Sequence, residues 1–410
     1  WLFLHFRRNH FTMRERIQTY RNTLILGLIA LPLGLAIGAI DALFGRVLLA
    51  LTAFRMEHAY YLLPFLGLVG VVIVWCYQKV GGTSGKGMTL LFEAGHGDTQ
   101  DIPLRLIPLV MVSTWLTHLF GGSAGREGVA VQIGGTLAHG VGKHLPIPNA
   151  GKQLLIAGMA AGFAGLFRTP IAATFFALEV LTAGVLEYSA LLPALVASFT
   201  ASACSGLLGL EKFTVALTDQ VAFSAPLVGK LLLFGLLFGL VGGLFAFALH
   251  KLKALFAQYL PNPLLRILVI GIAVSVFSLL CLGGRYSGLG TNLIAMSFVS
   301  GIFSWDFALK FAFTVVTLAA GFQGGEVTPL FSIGASLGVL LGTLFGLPTA
   351  FVAALGYAAV FGSASNTLLA PMLIGGEVFG FAYLPYFFIV CAMAYLCNGS
   401  NCIYPLQKGR

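Results

Sequence analysis

Charged side chains are scarce in this chain. Of its 410 residues only 9% are Asp, Glu, Lys or Arg, against roughly 25% in an ordinary soluble domain, which excludes a solvated globular enzyme. Cys-x-x-Cys motifs and His pairs at metal-ligand spacing are also missing among the 6 cysteines and 8 histidines. We therefore expect no metal and no cofactor, and cysteines that serve as small buried hydrophobes.

Apolar residues and glycine dominate instead: 58% of the chain is hydrophobic and 52 residues are Gly. Segments 23–40, 59–77 and 231–249 are each long enough to cross a bilayer as a helix. Between Val327 and Gln407 the only charged residue is Glu377. A strand-built barrel would need short alternating segments, so the sequence predicts an all-α polytopic membrane protein.

Positive charge is concentrated at the two ends. Residues 1–22 form a basic segment with one acid, Glu15, and the chain ends in Lys408 and Arg410 around a glycine. Because cytoplasmic flanks of membrane helices are rich in Lys and Arg, both termini are predicted to be cytoplasmic. The net charge of +9 is otherwise dispersed, without an aromatic and basic platform, so nucleic acid is not an expected partner. The arginines of the N-terminal segment are Arg7, Arg8, Arg14, Arg16 and Arg21.

Three stretches occur twice, in the same order. Residues 84–87 match 287–290 at an offset of 203, residues 125–137 match 325–337 at an offset of 200, and residues 158–180 match 356–378 at an offset of 198. Such near-equal offsets indicate an internal duplication.

The duplication predicts a first transmembrane repeat, 23–210, and a second, 225–407, joined by a polar linker. The linker contains Glu211, Lys212 and Asp219. Two similar apolar halves with glycine-interrupted segments indicate a transporter or channel whose substrate lies between the repeats. The residues alone leave open whether the halves are parallel or inverted. An intramembrane enzyme would need a His-Glu-x-x-His helix, an Asp pair or a Ser-Lys dyad, and none is present.

Glycines interrupt the helices within the repeated segments. A helix that begins inside the membrane presents unpaired backbone N–H groups and the positive end of its dipole, and several such ends together make a site for an anion. The glycines that would permit this close approach are Gly85, Gly87, Gly121, Gly122, Gly125, Gly128, Gly324 and Gly325.

Two carboxylates, Glu127 and Glu326, lie inside these breaks. A carboxylate is costly in a membrane unless it is paired, protonated or hydrogen-bonded, so both are predicted to be functional. Ionised Glu127 would compete with a transported anion for the same N–H donors, and neutral Glu127 would vacate the place. One group could thus be both gate and proton carrier. The alternative is helix capping or a pair with Arg126.

The remaining acidic residues receive structural interpretations. Glu179 and Glu377 are symmetry mates at the ends of matched helices, which favours a structural role. Those expected near loops or helix ends are Asp41, Glu57, Glu93, Asp98 and Asp101.

Four sites, by their sequences and their order along the chain, resemble motifs of the CLC family of chloride channels and anion/proton antiporters. Residues 125–129, Gly-Arg-Glu-Gly-Val, resemble its GREGP motif, and residues 325–329, Gly-Glu-Val-Thr-Pro, its GxFxP motif. Residues 85–91 lie where its GSGIP motif should be, and Tyr404 fits its late central tyrosine. The resemblance implies a homodimer in which each subunit is an inverted repeat. Its broken half-helices would converge on a mid-membrane anion site gated by Glu127.

The departures from these motifs point to one branch of the family. Val129 replaces the Pro of GREGP, Val327 replaces the Phe of GxFxP, and Met88 or Lys86 replaces the anion-contacting Ser, depending on the alignment. This pattern is similar to the bacterial fluoride/proton antiporters, and it favours Met88. The anion-binding residues implied by the resemblance are Gly87, Met88, Gly128, Val129, Val327, Thr328 and Tyr404.

The resemblance also implies a changed proton route. Chloride/proton exchangers carry FAIEE, whereas residues 176–180 read Phe-Ala-Leu-Glu-Val, so the inner proton glutamate is replaced by Val180. Glu326 is therefore predicted to pass the proton. Fluoride is strongly hydrated and needs strong donors, such as the hydroxyls of Thr328 and Tyr404, backbone N–H groups and a protonated Glu326, which would thereby also contact the anion. A thioether at Met88 donates nothing.

The function implied is export of cytoplasmic fluoride in exchange for inward protons, across the inner (plasma) membrane of a bacterium. The alternative is a chloride or general halide/proton antiporter, or an uncoupled chloride channel, of the same family.

Overall fold

Long apolar helices make up almost all of the computed structural model, which describes residues 13–99, 101–218 and 221–409. The helices of the first half are α1 (Met13–Glu57), α2 (Ala59–Leu62), α3 (Leu66–Cys76), α4 (Met88–His96), α5 (Leu106–Leu119), α6 (Glu127–Gly142), α7 (Ala150–Phe167), α8 (Pro170–Glu179) and α9 (Leu191–Leu207). Those of the second half are α10 (Ala225–Tyr259), α11 (Pro263–Leu280), α12 (Thr291–Phe298), α13 (Asp306–Ala320), α14 (Val327–Phe345), α15 (Thr349–Ser365), α16 (Leu369–Phe379) and α17 (Leu384–Leu396).

Some charges used in the sequence interpretation are outside this description. Arg7, Arg8, the side chain of Arg14, Asp219 and Arg410 lie outside the described residues. Short turns link the helices. They are a π-helical turn at Tyr77–Gly81 and 3-10 turns at Leu63–Phe65, Gly82–Lys86, Tyr188–Ala190, Leu282–Gly284 and Phe381–Tyr383.

Among the described residues, seven helical stretches are long and apolar enough to cross a membrane. The predicted spans 23–40, 59–77 and 231–249 all fall inside such stretches, so the multi-pass membrane prediction is confirmed. A helix satisfies every backbone hydrogen bond within itself, which is why such apolar runs fold this way in lipid. The seven stretches are Glu15–Glu57, Ala59–His96, Ala150–Phe167, Tyr188–Leu207, Ala225–Tyr259, Pro263–Leu280 and Val327–Phe345.

The internal duplication is visible as matched helix pairs. Helices α6 and α7 pack closely in the first half, as α14 and α15 do in the second. Both pairs meet at glycines: a Cβ at Gly134 would lie 2.1 Å from the carbonyl oxygen of Gly158, and one at Gly334 would lie 2.0 Å from that of Gly356. No side chain fits at such a contact, so the glycines set how closely the helices approach.

The two halves are inverted with respect to each other. Gly125 and Gly325, equivalent residues at the offset of 200, form an antiparallel bridge. The N–H of Gly125 donates to the oxygen of Gly325 at 2.5 Å, and the reverse bond is 2.8 Å. Equivalent segments that run in opposite directions and exchange both bonds are related by a local two-fold axis. The predicted inverted-topology, all-α architecture with broken helices is therefore confirmed.

Glu179 and Glu377 join the two halves by capping helices reciprocally. The Glu179 carboxylate accepts the backbone N–H groups of residues 368, 369 and 370 at 2.8 to 3.1 Å, at the start of α16. The Glu377 carboxylate accepts those of Ile171 and Ala172 at the start of α8. A carboxylate at a helix N-terminus satisfies otherwise unpaired donors. The predicted structural role of both residues is confirmed.

Asp41 does not lie near a loop, and that expectation was wrong. It is fully buried in the interior of α1, and both of its carboxylate oxygens lack a hydrogen-bond partner among the described residues. It faces α7, where a Cβ at Gly165 would meet Asp41 Oδ2 at 2.4 Å. Helix α1 continues unbroken past the residue to Glu57. By contrast, Glu57 ends α1 and Asp98 follows α4.

Candidate anion site

Three helices begin close together where the two halves meet. Helix α6 starts at Glu127 beside the Gly125–Gly325 bridge, α14 starts at Val327 on its other side, and α4 starts at Met88. The residue before α4, Gly87, has a φ of +53° and a ψ of −124°. A side chain there is disfavoured sterically, and a Cβ would also lie 3.2 Å from Gln132 Oε1. This glycine therefore lets the start of α4 approach α6.

Glu127 is the most tightly enclosed charged group of this region, with 1% of its surface exposed. Its Oε2 accepts a short hydrogen bond from the hydroxyl of Thr328 and a bond from the Thr328 N–H at 3.2 Å. The Arg126 N–H lies 3.3 Å from the same oxygen, and Arg126 Nε lies 3.6 Å from Oε1. The carboxylate thus occupies donors that α14 presents at its start. The pair with Arg126 weighed from the sequence is present, and competition with an anion for these donors stays a prediction.

A cavity of about 180 Å³ lies beside these helix starts. It is walled by the Gly85–Met88 stretch, by α6, by the segment before α14 and by residues near the C-terminus. Glu326, the residue before α14, lines it, and Gly128 lies so close that a Cβ there would be 3.7 Å from Glu326 Oε2. The polar and predicted site residues that line the cavity are Lys86, Gly87, Met88, Thr89, Gly128, Gln132, His250, Lys253, Gln323, Glu326 and Tyr404.

Tyr404 places an unpartnered hydroxyl at this cavity. The residue is 4% exposed, and its ring packs at 5.3 Å from that of Phe92, which also lines the cavity. Among the described residues, its hydroxyl oxygen has no hydrogen-bond partner. A buried hydroxyl without a partner costs about 1–3 kcal/mol, so this group is available to a ligand.

Lys86 and Met88 both line the cavity, but the Lys86 side chain is held in an ion pair with Glu93. The Lys86 ammonium lies 2.8 Å from Glu93 Oε1 and 3.0 Å from Oε2, with half of the Lys86 side chain exposed. Met88 is the first residue of α4 and is half-buried. The charge of Lys86 is thus partly neutralised by its own neighbour, and the choice of Met88 as the anion-contacting position stays a prediction.

Val129 and Val327, like Thr328, are predicted anion-binding residues that do not line the cavity. They are 0% and 1% exposed and belong to the hydrophobic core, and neither is among the residues that line the cavity. Only their backbone groups at the starts of α6 and α14 remain near the helix breaks, so their role stays a prediction.

Gln132 is a cavity residue that the motif comparison missed. Its Oε1 is buried without a hydrogen-bond partner, and the side chain lines the cavity one helical turn after Gly128. The four-residue spacing on α6 was the signal that could have found it, since residues i and i+4 share a helix face. Lys253 and His250 come from α10, and nothing in their local sequence indicated this contact.

This geometry, inverted repeats whose broken helices and buried glutamates surround a small polar cavity, defines a membrane anion transporter. A family model described as voltage gated chloride channel matches residues 69–399. The chain therefore belongs to the CLC family, a family of transport proteins.

Particular relatives narrow the comparison. The chain is similar to a crystal structure of a CLC-type fluoride/proton antiporter, with 54% identity, a TM-score of 0.93, and coverage of 98% of this chain and 100% of that one. It is 37% identical to a "chloride/fluoride channel protein" of Pseudomonas syringae pv. tomato, over 94% of this chain and 85% of the relative. A slow cyanobacterial Cl⁻/H⁺ antiporter, 20% identical, shares the fold with a TM-score of 0.80 over 93% of this chain and 96% of that one.

Proposed function

We propose that this protein is a fluoride/proton antiporter that exports cytoplasmic fluoride in exchange for inward protons. The observation that carries the proposal is the Glu127 carboxylate on the two donors of Thr328, directly before Gly128, which lines the cavity together with Glu326. Support comes from the 54% identity to a structure described as a CLC-type fluoride/proton antiporter.

The gate follows from competition for hydrogen bonds. While Glu127 is ionised, its Oε2 accepts from the Thr328 N–H and hydroxyl, so an anion cannot use those donors. Protonation removes the charge that made these bonds strong. An anion arriving from the cavity then takes the donors, and protonated Glu127 is released. Each exchange moves the carboxylate proton against the anion.

Glu326 supplies the second carboxylate that a proton route requires. It lines the cavity, whereas Val180, at the position of the inner proton glutamate of the chloride exchangers, is a fully buried apolar side chain. A proton reaching the cavity can therefore be held by Glu326 before it passes to Glu127.

Fluoride is the transported anion that the donor set favours. Fluoride loses a strongly held water shell on entry, so the site must offer strong donors in compensation. The Tyr404 hydroxyl is unpartnered and Gly128 lines the cavity, and the Thr328 hydroxyl and N–H become available once protonated Glu127 releases them. The Met88 thioether offers no donor, which weakens binding of chloride at the position where the family's motif has a serine.

The assembly and location of the protein are proposed on the same basis. We infer a homodimer in the inner membrane of a bacterium, with both termini cytoplasmic, a basic segment at 1–22, and repeats bounded at 23–210 and 225–407. The basic termini and the family resemblance support these points. Light scattering in detergent would test the dimer, and cysteine accessibility at residue 18 on intact cells would test the orientation.

A chloride-transporting or uncoupled function is the second candidate, favoured by the name chloride/fluoride channel protein carried by one relative. Proteoliposomes loaded with equal fluoride and chloride, followed with both ion-selective electrodes and a pH probe, separate the two. We expect fluoride efflux to exceed chloride efflux and to drive protons in the opposite direction. Chloride efflux equal to fluoride efflux, or fluoride efflux without proton movement, would contradict the proposal.

A further inference from the structure

A second cavity, with a volume of about 640 Å³, lies away from the Glu326 cavity. Its wall includes Thr52 and Arg55 from the end of α1, Ser287 and Gly290 before α12, and Thr291 and Asn292 in the first turn of α12. None of these residues lines the cavity that contains Glu326 and Tyr404.

The two cavities are related by the inverted repeat. Residues 86–89 line the first cavity and residues 289–292 line the second, and the two stretches match at the offset of 203. Both α4 and α12 begin after a glycine with positive φ, Gly87 at +53° and Gly290 at +86°. Inverted repeats place equivalent features at opposite faces of the membrane, so the second cavity opens on the face opposite the first.

Buried basic groups surround this cavity without a matching carboxylate. Arg55 is 5% exposed and donates from Nη1 to the carbonyl oxygen of His118 at 2.7 Å. Lys310, fully buried behind Gly290, donates to the carbonyl oxygens of Tyr286 and Gly288 at 3.0 and 2.7 Å. Among the ion pairs of the described residues, neither cation has a carboxylate partner within 4.0 Å.

The carboxylate of Asp306, near the lining residue Arg285, is already committed to other groups. Asp306 forms a two-point ion pair with Arg285, through Nε at 3.1 Å and Nη2 at 2.6 Å. It also accepts the Tyr286 hydroxyl at 2.7 Å. Lys310 is not a lining residue, and its Nζ also donates to Ser123 Oγ at 2.9 Å. A buried cation without an anionic partner is costly, so the Arg55 guanidinium leaves an excess of positive charge at the wall.

Two buried hydroxyls in the same wall lack a partner. Ser287 Oγ and Thr52 Oγ1 line the cavity, are 3% and 8% exposed as residues, and have no hydrogen-bond partner among the described residues. A hydroxyl can donate to an anion, and unpartnered buried hydroxyls are uncommon because each costs about 1–3 kcal/mol. A buried cation without an anionic partner and two unpartnered hydroxyl donors at one cavity are the features of an anion site.

We propose that this cavity binds a small monovalent anion of the halide class, held by Arg55, Thr52 and Ser287, on the membrane face opposite the Glu326 cavity. The anion balances the charge of Arg55. The site is separate from the transport cavity, and its existence does not depend on which halide the protein transports. Because the cavity is far wider than any halide, size does not discriminate, and bromide is a suitable probe.

The test is anomalous diffraction from crystals of the full chain soaked in sodium bromide. We expect a bromide peak within hydrogen-bond distance of Ser287 Oγ and Arg55. In the variant Thr52→Val with Ser287→Ala, which loses no hydrogen bond seen in the structure, we expect the occupancy to fall at least fivefold. The matched control is Ser84→Ala, since Ser84 is the repeat mate of Ser287, is also buried without a partner, and lines neither cavity.

Two results would overturn the proposal. One is the absence of a bromide peak at this cavity in the unaltered protein. The other is a peak of equal occupancy in the unaltered protein and the double variant, which would mark an adventitious ion only. Circular dichroism melting of each variant checks that it is folded, and a double variant that fails to fold is replaced by Ser287→Ala alone, with the same occupancy criterion.

Discussion

The two helix breaks at the centre of the molecule have the same backbone arrangement and different charges. At the start of α6 the chain reads Arg126-Glu127, and at the equivalent start of α14 it reads Glu326-Val327. The duplicated backbone pairs symmetrically through Gly125 and Gly325, yet the acid occupies successive, non-equivalent positions. The repeat therefore supplies two converging helix ends, and the asymmetry of side chains assigns them different tasks.

The position of each carboxylate explains the difference. Glu127 is turned across to the donors of Thr328, in the other repeat, which is the contact that its proposed role as gate requires. Glu326 lines the cavity instead, so it can exchange protons there. Substitutions that remove or exchange these charges test whether the two helix breaks have different functions.

Glu127→Gln should have the largest effect. The amide cannot carry a proton, and a positioned acid or base accelerates proton transfer by about 100-fold or more, so proton flux in proteoliposomes should fall by at least about 100-fold. Asp101→Asn is the control, since this carboxylate is 77% exposed and pairs with Lys143. Persistent fluoride-driven proton uptake in Glu127→Gln would rule out this residue as the proton carrier.

Glu326→Gln tests the other break. Proton flux should again fall, while the Glu127 gate and its bonds to Thr328 are left in place, so any residual fluoride movement should be uncoupled from protons. The measurement is the ratio of fluoride to proton flux from paired electrodes. A ratio unchanged from that of the unaltered protein would make Glu326 a wall residue only.

Thr328→Val removes a hydroxyl from the donors shared by Glu127 and the anion. A hydrogen bond to a charged group contributes about 1.5–3 kcal/mol, so the apparent affinity for fluoride should fall by about tenfold or more. Thr328→Ser keeps the hydroxyl and should stay near the unaltered affinity. Equal losses in both variants would indicate packing rather than donation.

Glu179→Gln and Glu377→Gln probe a pair that stays symmetric. Each should lower the free energy of unfolding by about 1–2 kcal/mol, because a charged cap becomes a neutral one, while flux per folded protein is kept. Thermal unfolding beside flux assays measures both. Lost coupling at unchanged stability would show that these mates share in transport.

Met88→Ser is expected to have the smallest effect. A hydroxyl at the first position of α4 adds a donor that chloride can use, so chloride flux relative to fluoride should rise a few-fold. Met88→Leu, which adds no donor, is the control. An equal rise in both variants would assign selectivity to another position.

Sequence patterns were sufficient to predict a membrane protein, the internal duplication and the two helix breaks that contain Glu127 and Glu326. Long apolar runs can satisfy their backbone only as helices in lipid, and repeated spacing survives in the chain whatever its fold. A structural role for Glu179 and Glu377 could also be predicted, because both halves retain the residue at equivalent positions.

Contacts between residues that are distant in the sequence became visible only in the folded protein. Opposed pairing of Gly125 and Gly325 established the inversion, which a linear spacing cannot express. Asp41 appeared peripheral in sequence but is buried within α1, and Gln132 reaches the cavity only because α6 packs beside α4. The wall formed by Arg55 and Ser287 joins residues more than 200 positions apart. Burial and contact depend on the packing of several helices, and that packing is set by long-range contacts that no local pattern contains.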